Sequence, residues 1–352
     1  MDKDLLVKTV KGGGDTPAID QVDLSGKNYQ GADLSGGTFN KVNFSNADLS
    51  GVNFKESNFV DCDFSGARLN KSDFSLASVV NSDFKKAQLH AVKFRYTNFI
   101  DDSFVEADFT GATMEFTNFI SPDMREASMV GVKSENMNFL NAKLDNADFS
   151  RSEQYRSNFI EPELRGIKFE GAVLNIILFQ KADFSGYDFS NSSLTMCQFM
   201  AANMAQAKFT GMDITQSSFN EADLSGADFT GAIANNCLFI KAITRGAKFN
   251  KAELKQAMFI EADASLCDFT QSKMEQAQFT KANCEGALFT KADLTYVDFS
   301  HANLDNALID KAELYRANLH EIKQENAIWE GSNKSAALPT DEKKAQAEKF
   351  VA

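Results

Sequence analysis

From Leu24 to Leu319 every fifth residue falls in one register, sixty positions without an insertion. Nearly all of them hold Phe, Leu, Met, Ile, Val or Tyr, the main departures being Ser134, Gln154, Ala234, Thr244, Ala264 and Cys284. Two residues before each stands a small residue, Ala in 30 of the 60 repeats, and an Asp or Asn often separates the two. In an extended segment, residues two apart point to the same side. The small and large residues therefore share one core, the polar residues face away, and a strand this short must turn. If four pentapeptides make a turn of twenty residues, equivalent positions stack about 4.8 Å apart. The sixty repeats would then make fifteen coils, roughly 70 Å in length at that spacing.

Composition agrees with one position type repeated many times. Phe outnumbers Tyr and Trp by 32 to 6 and 1, and only 4 Pro are present in 352 residues. A net charge of -13 disfavours binding to phosphate backbones or anionic lipid, so no direct nucleic-acid contact is expected. The 5 Cys form no CxxC pair, and Cys62, Cys197, Cys237, Cys267 and Cys284 occupy core positions as reduced thiols. No cofactor or metal site is assigned. His90, His301 and His320 are placed far apart, without a catalytic partner. No signal-peptide core or membrane span is visible, which points to the cytoplasm; export by a dedicated secretion system stays open.

Segments such as "ADLSG" at 32–36, 47–51 and 222–226, "ADFTG" at 107–111, "ADFSG" at 182–186 and "ANLDN" at 302–306 resemble the pentapeptide-repeat family. The resemblance implies an all-β fold, a right-handed four-sided (quadrilateral) parallel β-helix solenoid. It would span residues 22–319, preceded by a flexible segment or cap at 1–21 containing "GGGDTP" and followed by a cap and short helix at 320–352. Within that tail Ile322, Ile328 and Trp329 are candidates for an end cap, and Thr340 for the N-cap of the helix. The tail is also similar to the ends of members associated with type VI secretion. The better understood members of the family mimic DNA and bind type II topoisomerases such as gyrase.

Sorting by the twenty-residue period separates the columns. Phe recurs at every tenth residue from 139 to 299, whereas earlier it occupies 44, 54, 64, 74, 84, 94 and 104, the columns that later become aliphatic. At the crossover Phe94, Phe99, Phe104 and Phe109 share one coil. That volume predicts a distortion or bend between about residues 94 and 137. Close by, Pro122 and Pro162 replace small inward residues. Ser134 and Gln154 occupy large inward positions in successive coils, a candidate buried polar pair expected to bond to each other or to line a polar pocket. Acids such as Asp23, Asp63, Asp183, Asp223 and Asp263 are expected to accept turn N–H groups.

One outward column is apolar: Val60, Val80, Ile100, Ile120, Leu140 and Ile160, beside Asn58, Asn98, Asn118, Asn138 and Asn158. β-branched residues suit strands in any case, and the asparagines can stack as an amide ladder. The row is nonetheless the candidate binding surface for another protein or for a second copy in a homodimer. A non-enzymatic scaffold or adaptor is the function expected, with a DNA-mimicking topoisomerase binder as the alternative.

Overall fold

The computed structural model describes residues 1–12 and 18–349. Most of the glycine-rich "GGGDTP" segment therefore lies outside the described residues. The chain divides into two compact units, Met1–Ala182 and Asp183–Ala352.

In the first unit, parallel pairing recurs at a constant offset of twenty residues, as in Asp23↔Asn43, Asn28↔Asp48 and Asp33↔Asn53. On one column the bridges widen into a nine-stranded sheet running from Ile19–Asp20 through Thr38–Asn40 and Asn58–Val60 to Leu178–Gln180. A second column of three-residue strands starts at Lys93–Arg95 and continues through Thr113–Glu115, Lys133–Glu135, Glu153–Tyr155 and Val173–Asn175. The expected fifteen equal coils are thus corrected to a parallel solenoid whose continuous strand ladder is nine deep. Elsewhere each turn is held by single bridges, because a tight corner leaves too few extended residues for a ladder. In the second unit that bridged form prevails, as in Asp223↔Ile243↔Asp263↔Asn283↔Asn303.

Two kinds of corner account for the difference. In the tight kind, the N–H of the small inward residue closes onto the carbonyl three residues back, as Ala47 does onto Phe44 at 3.0 Å and Ala262 onto Phe259 at 3.1 Å. After an extended strand that N–H points elsewhere: Cys62 donates to Ser82 Oγ at 3.1 Å, and the Ser82 N–H donates to Asp102 Oδ1 at 2.6 Å. Pro122 follows in the same column. Having no N–H, it leaves no donor to satisfy, which explains why Pro122 and Pro162 are tolerated there. Both kinds place one residue per repeat in the left-handed region, from Gly26 at φ 62° to Phe116 at φ 51°.

The crossover near residue 94 leaves the register intact: Phe94 pairs with Met114 and Phe99 with Phe119 in the regular pattern. Phe94, Phe99, Phe104 and Phe109 are all fully or almost fully buried. Successive rings meet edge-on or tilted, with centroids 5.3, 5.1 and 5.3 Å apart. The predicted distortion takes the form of a changed corner. Phe74 closes a tight turn with Ala77, whereas Phe94, next in that column, sits in the strand that opens the second sheet. One turn later Met114, Met124 and Met129 take three of the four large positions, flexible side chains suited to irregular space.

The Asp and Asn residues of the polar position do accept turn N–H groups. Asp23, Asp63, Asp183, Asp223 and Asp263 each bond the N–H two residues on, at 2.8–3.1 Å. Hydrogen bonding from Ser25 holds the Asp23 carboxyl below its ordinary range, and Ser50 and Ser190 do the same for Asp48 and Asp188.

Helix α1 (Lys3–Lys11) starts at Asp2, whose side chain accepts from the Leu5 N–H, and it buries Leu6 and Val10. Lys3 Nζ reaches the Gln30 carbonyl at 2.6 Å and Lys11 Nζ the Asp33 carboxylate at 3.2 Å, which ties the helix to the first repeats. In the second unit bridges continue past residue 319 to Leu308↔Ile328 and Asn318↔Leu338. Helix α2 (Glu342–Glu348) is N-capped by Asp341, which accepts from the N–H groups of Lys343 and Lys344. Thr340 is therefore displaced from the expected cap, and its Oγ1 accepts from the Glu321 N–H at 3.1 Å instead.

Candidate functional site

Val60, Val80, Ile100, Ile120, Leu140 and Ile160 are in register across five consecutive strand pairs, each at the third position of its strand. They point away from the core, which is formed by the preceding residues Phe59, Val79, Phe99, Phe119, Phe139 and Phe159, all fully buried. Stacking covers part of each side chain, so exposure reaches only 38% at Val60 and 37% at Ile120 and Leu140. Alongside, Asn118 donates to Asn98 at 2.7 Å, Asn138 to Asn118 at 2.7 Å and Asn158 to Asn138 at 2.6 Å. Each amide has one preferred orientation in such a chain, so the polar edge of the row is fixed.

A second apolar feature escaped the reading of the sequence. Tyr96 and Phe116 occupy the left-handed corner positions that lead into strands Asn98–Ile100 and Asn118–Ile120, at φ 54° and 51°. Their rings stack with centroids 4.8 Å apart and stay 45% and 40% exposed. Arg95 lies over Tyr96 at 5.3 Å. Bulky side chains are uncommon at positive φ, and no repeat position singles these two out in the sequence. The aromatic pair lies at the corner that precedes these strands, with the asparagine ladder between it and the aliphatic row.

Ser134 and Gln154 do meet. The serine hydroxyl donates to Gln154 Oε1 at 2.5 Å, and both side chains are buried. They lie beneath a shallow depression of about 600 Å³ edged by Glu115, Lys133, Glu135, Glu153 and Tyr155. Lys133 and Glu153 pair across it at 3.0 Å. The Gln154 Nε2 has no partner among the described residues.

The tail residues divide. Ile322 and Trp329 are partly covered, the latter by Lys334 Nζ 4.0 Å from its ring, while Ile328 is 52% exposed at an outward position of its repeat. The histidines require a correction. His90 stands apart beside Asp108 at 2.7 Å, but the rings of His301 and His320 lie 5.2 Å apart. Nineteen residues is one turn less a single position, so an offset that looked remote places them in adjoining turns. The five cysteines are buried. Burial pushes the thiol of Cys62 up to about 11 and those of Cys237 and Cys267 to about 12, so none of these three is a poised nucleophile.

Among the described residues no helix is long and apolar enough to cross a membrane. No curated protein sequence matches the chain. Among solved structures, a trypsin-treated form of QnrB1, a plasmid-mediated fluoroquinolone resistance protein, is 19% identical with a TM-score of 0.32, covering 61% of this chain and 88% of its own. HetL of the cyanobacterium Nostoc sp. strain PCC 7120, involved in heterocyst differentiation regulation, is 18% identical with a TM-score of 0.14, over 97% and 98%. A pentapeptide repeat protein of the Arabidopsis thaliana thylakoid lumen is 28% identical with a TM-score of 0.17, over 37% and 76%. The model of the pentapeptide repeats (8 copies) matches residues 20–55, 57–95, 87–125 and 197–233, and that of the pentapeptide repeat region matches 232–309. Neither match extends into the tail, so the likeness to secretion-associated members gains nothing from them. With more than half of the chain matched and parallel pairing at twenty-residue intervals in both units, the chain belongs to the pentapeptide-repeat family.

Proposed function

We propose that this protein is a non-enzymatic scaffold that binds another protein through the sheet face of its first unit. The observation that carries the reading is the in-register row Val60 to Ile160, bordered by the asparagine ladder, with Tyr96 and Phe116 on the far side of that ladder. A strand needs only β-branched residues somewhere on its outer side. Six aliphatics in consecutive rungs with two exposed aromatics at the adjoining corner make an apolar patch on the order of several hundred Å², the size range of functional surfaces on monomers. Fixed amides along one edge supply orientation, and the apolar row supplies affinity.

The test pairs Ile100→Lys with Ile120→Lys, at positions exposed enough to accept a lysine without unfolding. Loss of a captured partner, with unchanged circular dichroism and melting, is the expected outcome. A shift from dimer to monomer in light scattering would identify the partner as a second copy. Unchanged capture and unchanged mass would refute the reading. A supercoiling assay with purified gyrase separates the alternative, since a topoisomerase binder would alter turnover whether or not the row is intact.

A further inference from the structure

We propose that His301, His320 and Glu348 form a binding site for a divalent transition metal of the zinc class, which staples helix α2 to the last turns of the second unit. His301 Nε2 and His320 Nε2 both converge on Glu348 Oε2, at 3.4 and 3.1 Å. The three ligand atoms lie within 4.8 Å of one another. Ligands held about 2.0–2.2 Å from a tetrahedral ion stand about 3.3 Å apart, the spacing from each histidine to Glu348. Two imidazoles and one carboxylate are the donor set of catalytic zinc sites that keep a fourth position for water, and imidazole nitrogen also suits cobalt and nickel.

The elements that supply the ligands are separately anchored. His301 is fixed by its N–H bond to the His320 carbonyl at 2.9 Å, and the His320 N–H donates to Asn318 Oδ1 at 3.1 Å. His320 is almost wholly buried, which is uncommon for a side chain that only ends a repeat. Glu348 comes from α2, and Lys344 engages its other oxygen, Oε1, at 3.6 Å, leaving Oε2 to the histidines.

One contact sets the balance between the metal-free and metal-bound states. The Asp341 N–H donates to His320 Nδ1 at 3.1 Å, so without metal the ring proton sits on Nε2 and points at Glu348. Metal at Nε2 requires that proton on Nδ1, and the Asp341 N–H then turns to solvent. Asp341 is exposed, so the exchange gives up one neutral hydrogen bond, a factor of about ten in affinity. Three ligands on one ion outweigh that, and the metal exchanges a hold on the start of α2 for a firmer hold on its end.

The full chain, freed of metal with a chelator, is titrated with Zn²⁺ against a chromophoric competitor and with Co²⁺ followed by visible absorption. One site per chain with a dissociation constant on the order of 10 µM or tighter and an intense tetrahedral cobalt band are expected. His301→Ala and Glu348→Gln should each weaken binding about tenfold or more, while His90→Ala leaves it unchanged. Should Glu348→Gln loosen α2, His301→Ala still decides, because it alters a side chain carried by the repeats. Absence of saturable binding below ~100 µM, or binding indifferent to both substitutions, overturns the proposal.

Discussion

The two units use one repeat and close it differently. In the second unit from Phe199 onward, Phe199, Phe219, Phe239, Phe259 and Phe279 stack in one column and Phe209, Phe229, Phe249, Phe269 and Phe289 in another, most with centroids 4.5–5.2 Å apart and nearly coplanar rings. Small and aliphatic residues fill the columns between, and corner after corner is tight. In the first unit the rings change columns, and two columns open into strands. An outward aliphatic alone does not open a corner: Ile240 and Ile260 stand where Ile100 and Ile120 do in the period, yet Ala242 and Ala262 close tight turns behind them. The open column carries Cys62, Ser82, Asp102, Pro122 and Pro162 at that place, but also Val42, Ala142 and Ala182. Neither feature is required everywhere, since Asn40 and Gln180 end strands of the same column, followed by Val42 and Ala182.

That difference can be broken most sharply with proline. Ala262→Pro removes the donor to the Phe259 carbonyl and should cost about 3 kcal/mol or more. Ala142→Pro, between Pro122 and Pro162 in the open column, should cost less than about 1 kcal/mol or even stabilise; equal losses in chemical denaturation would erase the distinction between corners. Truncation of a stacked ring, Phe249→Ala, should cost about 3–5 kcal/mol. A much smaller loss would show that the second unit's columns are less tightly packed than their geometry implies.

Asp102 gives a difference that depends on pH. Its side chain is almost wholly buried, and Oδ2 has no partner among the described residues. Burial pushes the carboxyl up to about 7, against an ordinary 3.8. The folded state thus binds the proton more tightly than the unfolded chain, so stability falls as pH rises from about 4 to about 7 and is level outside that window. Asp102→Asn should flatten the profile and stabilise the protein at pH 8 by up to about 4 kcal/mol. A profile unchanged by the substitution would mean that water reaches the carboxylate. Last and smallest, Asn138→Ala interrupts the amide ladder and should cost about 1 kcal/mol, measured as a shift in the denaturation midpoint; no shift would make the ladder a passive border of the apolar row.

Much of this architecture was legible in the sequence because the repeat leaves few choices. The register assigned core and surface from Leu24 to Leu319, and the Ser134–Gln154 contact followed from two polar residues twenty apart in a buried column. The strand count and the corners were less legible. Whether a pentapeptide ends in a tight turn or a strand depends on hydrogen bonds to the next turn, and these rest on pairs such as Ser82 with Asp102 that no single repeat reveals. The histidine cluster was missed for a related reason. His301 and His320 occupy different positions of the repeat, and only the offset of nineteen brings their rings together, while Glu348 arrives from outside the register altogether.

The left-handed residue in each repeat has a consequence for how such a chain can be tuned. Positions such as Ile176, Leu266 and Met196 hold a conformation that costs an L-residue with a side chain roughly 1–2 kcal/mol, and glycine adopts it freely. They lie at the surface, outside the packed interior, and recur at regular intervals. Stability is therefore graded along the chain by a series of surface settings, each adjustable by substitution to glycine or asparagine, and coupled where neighbours one turn apart touch, as Tyr96 and Phe116 do. A protein built this way can drift in durability while its interior stays the same.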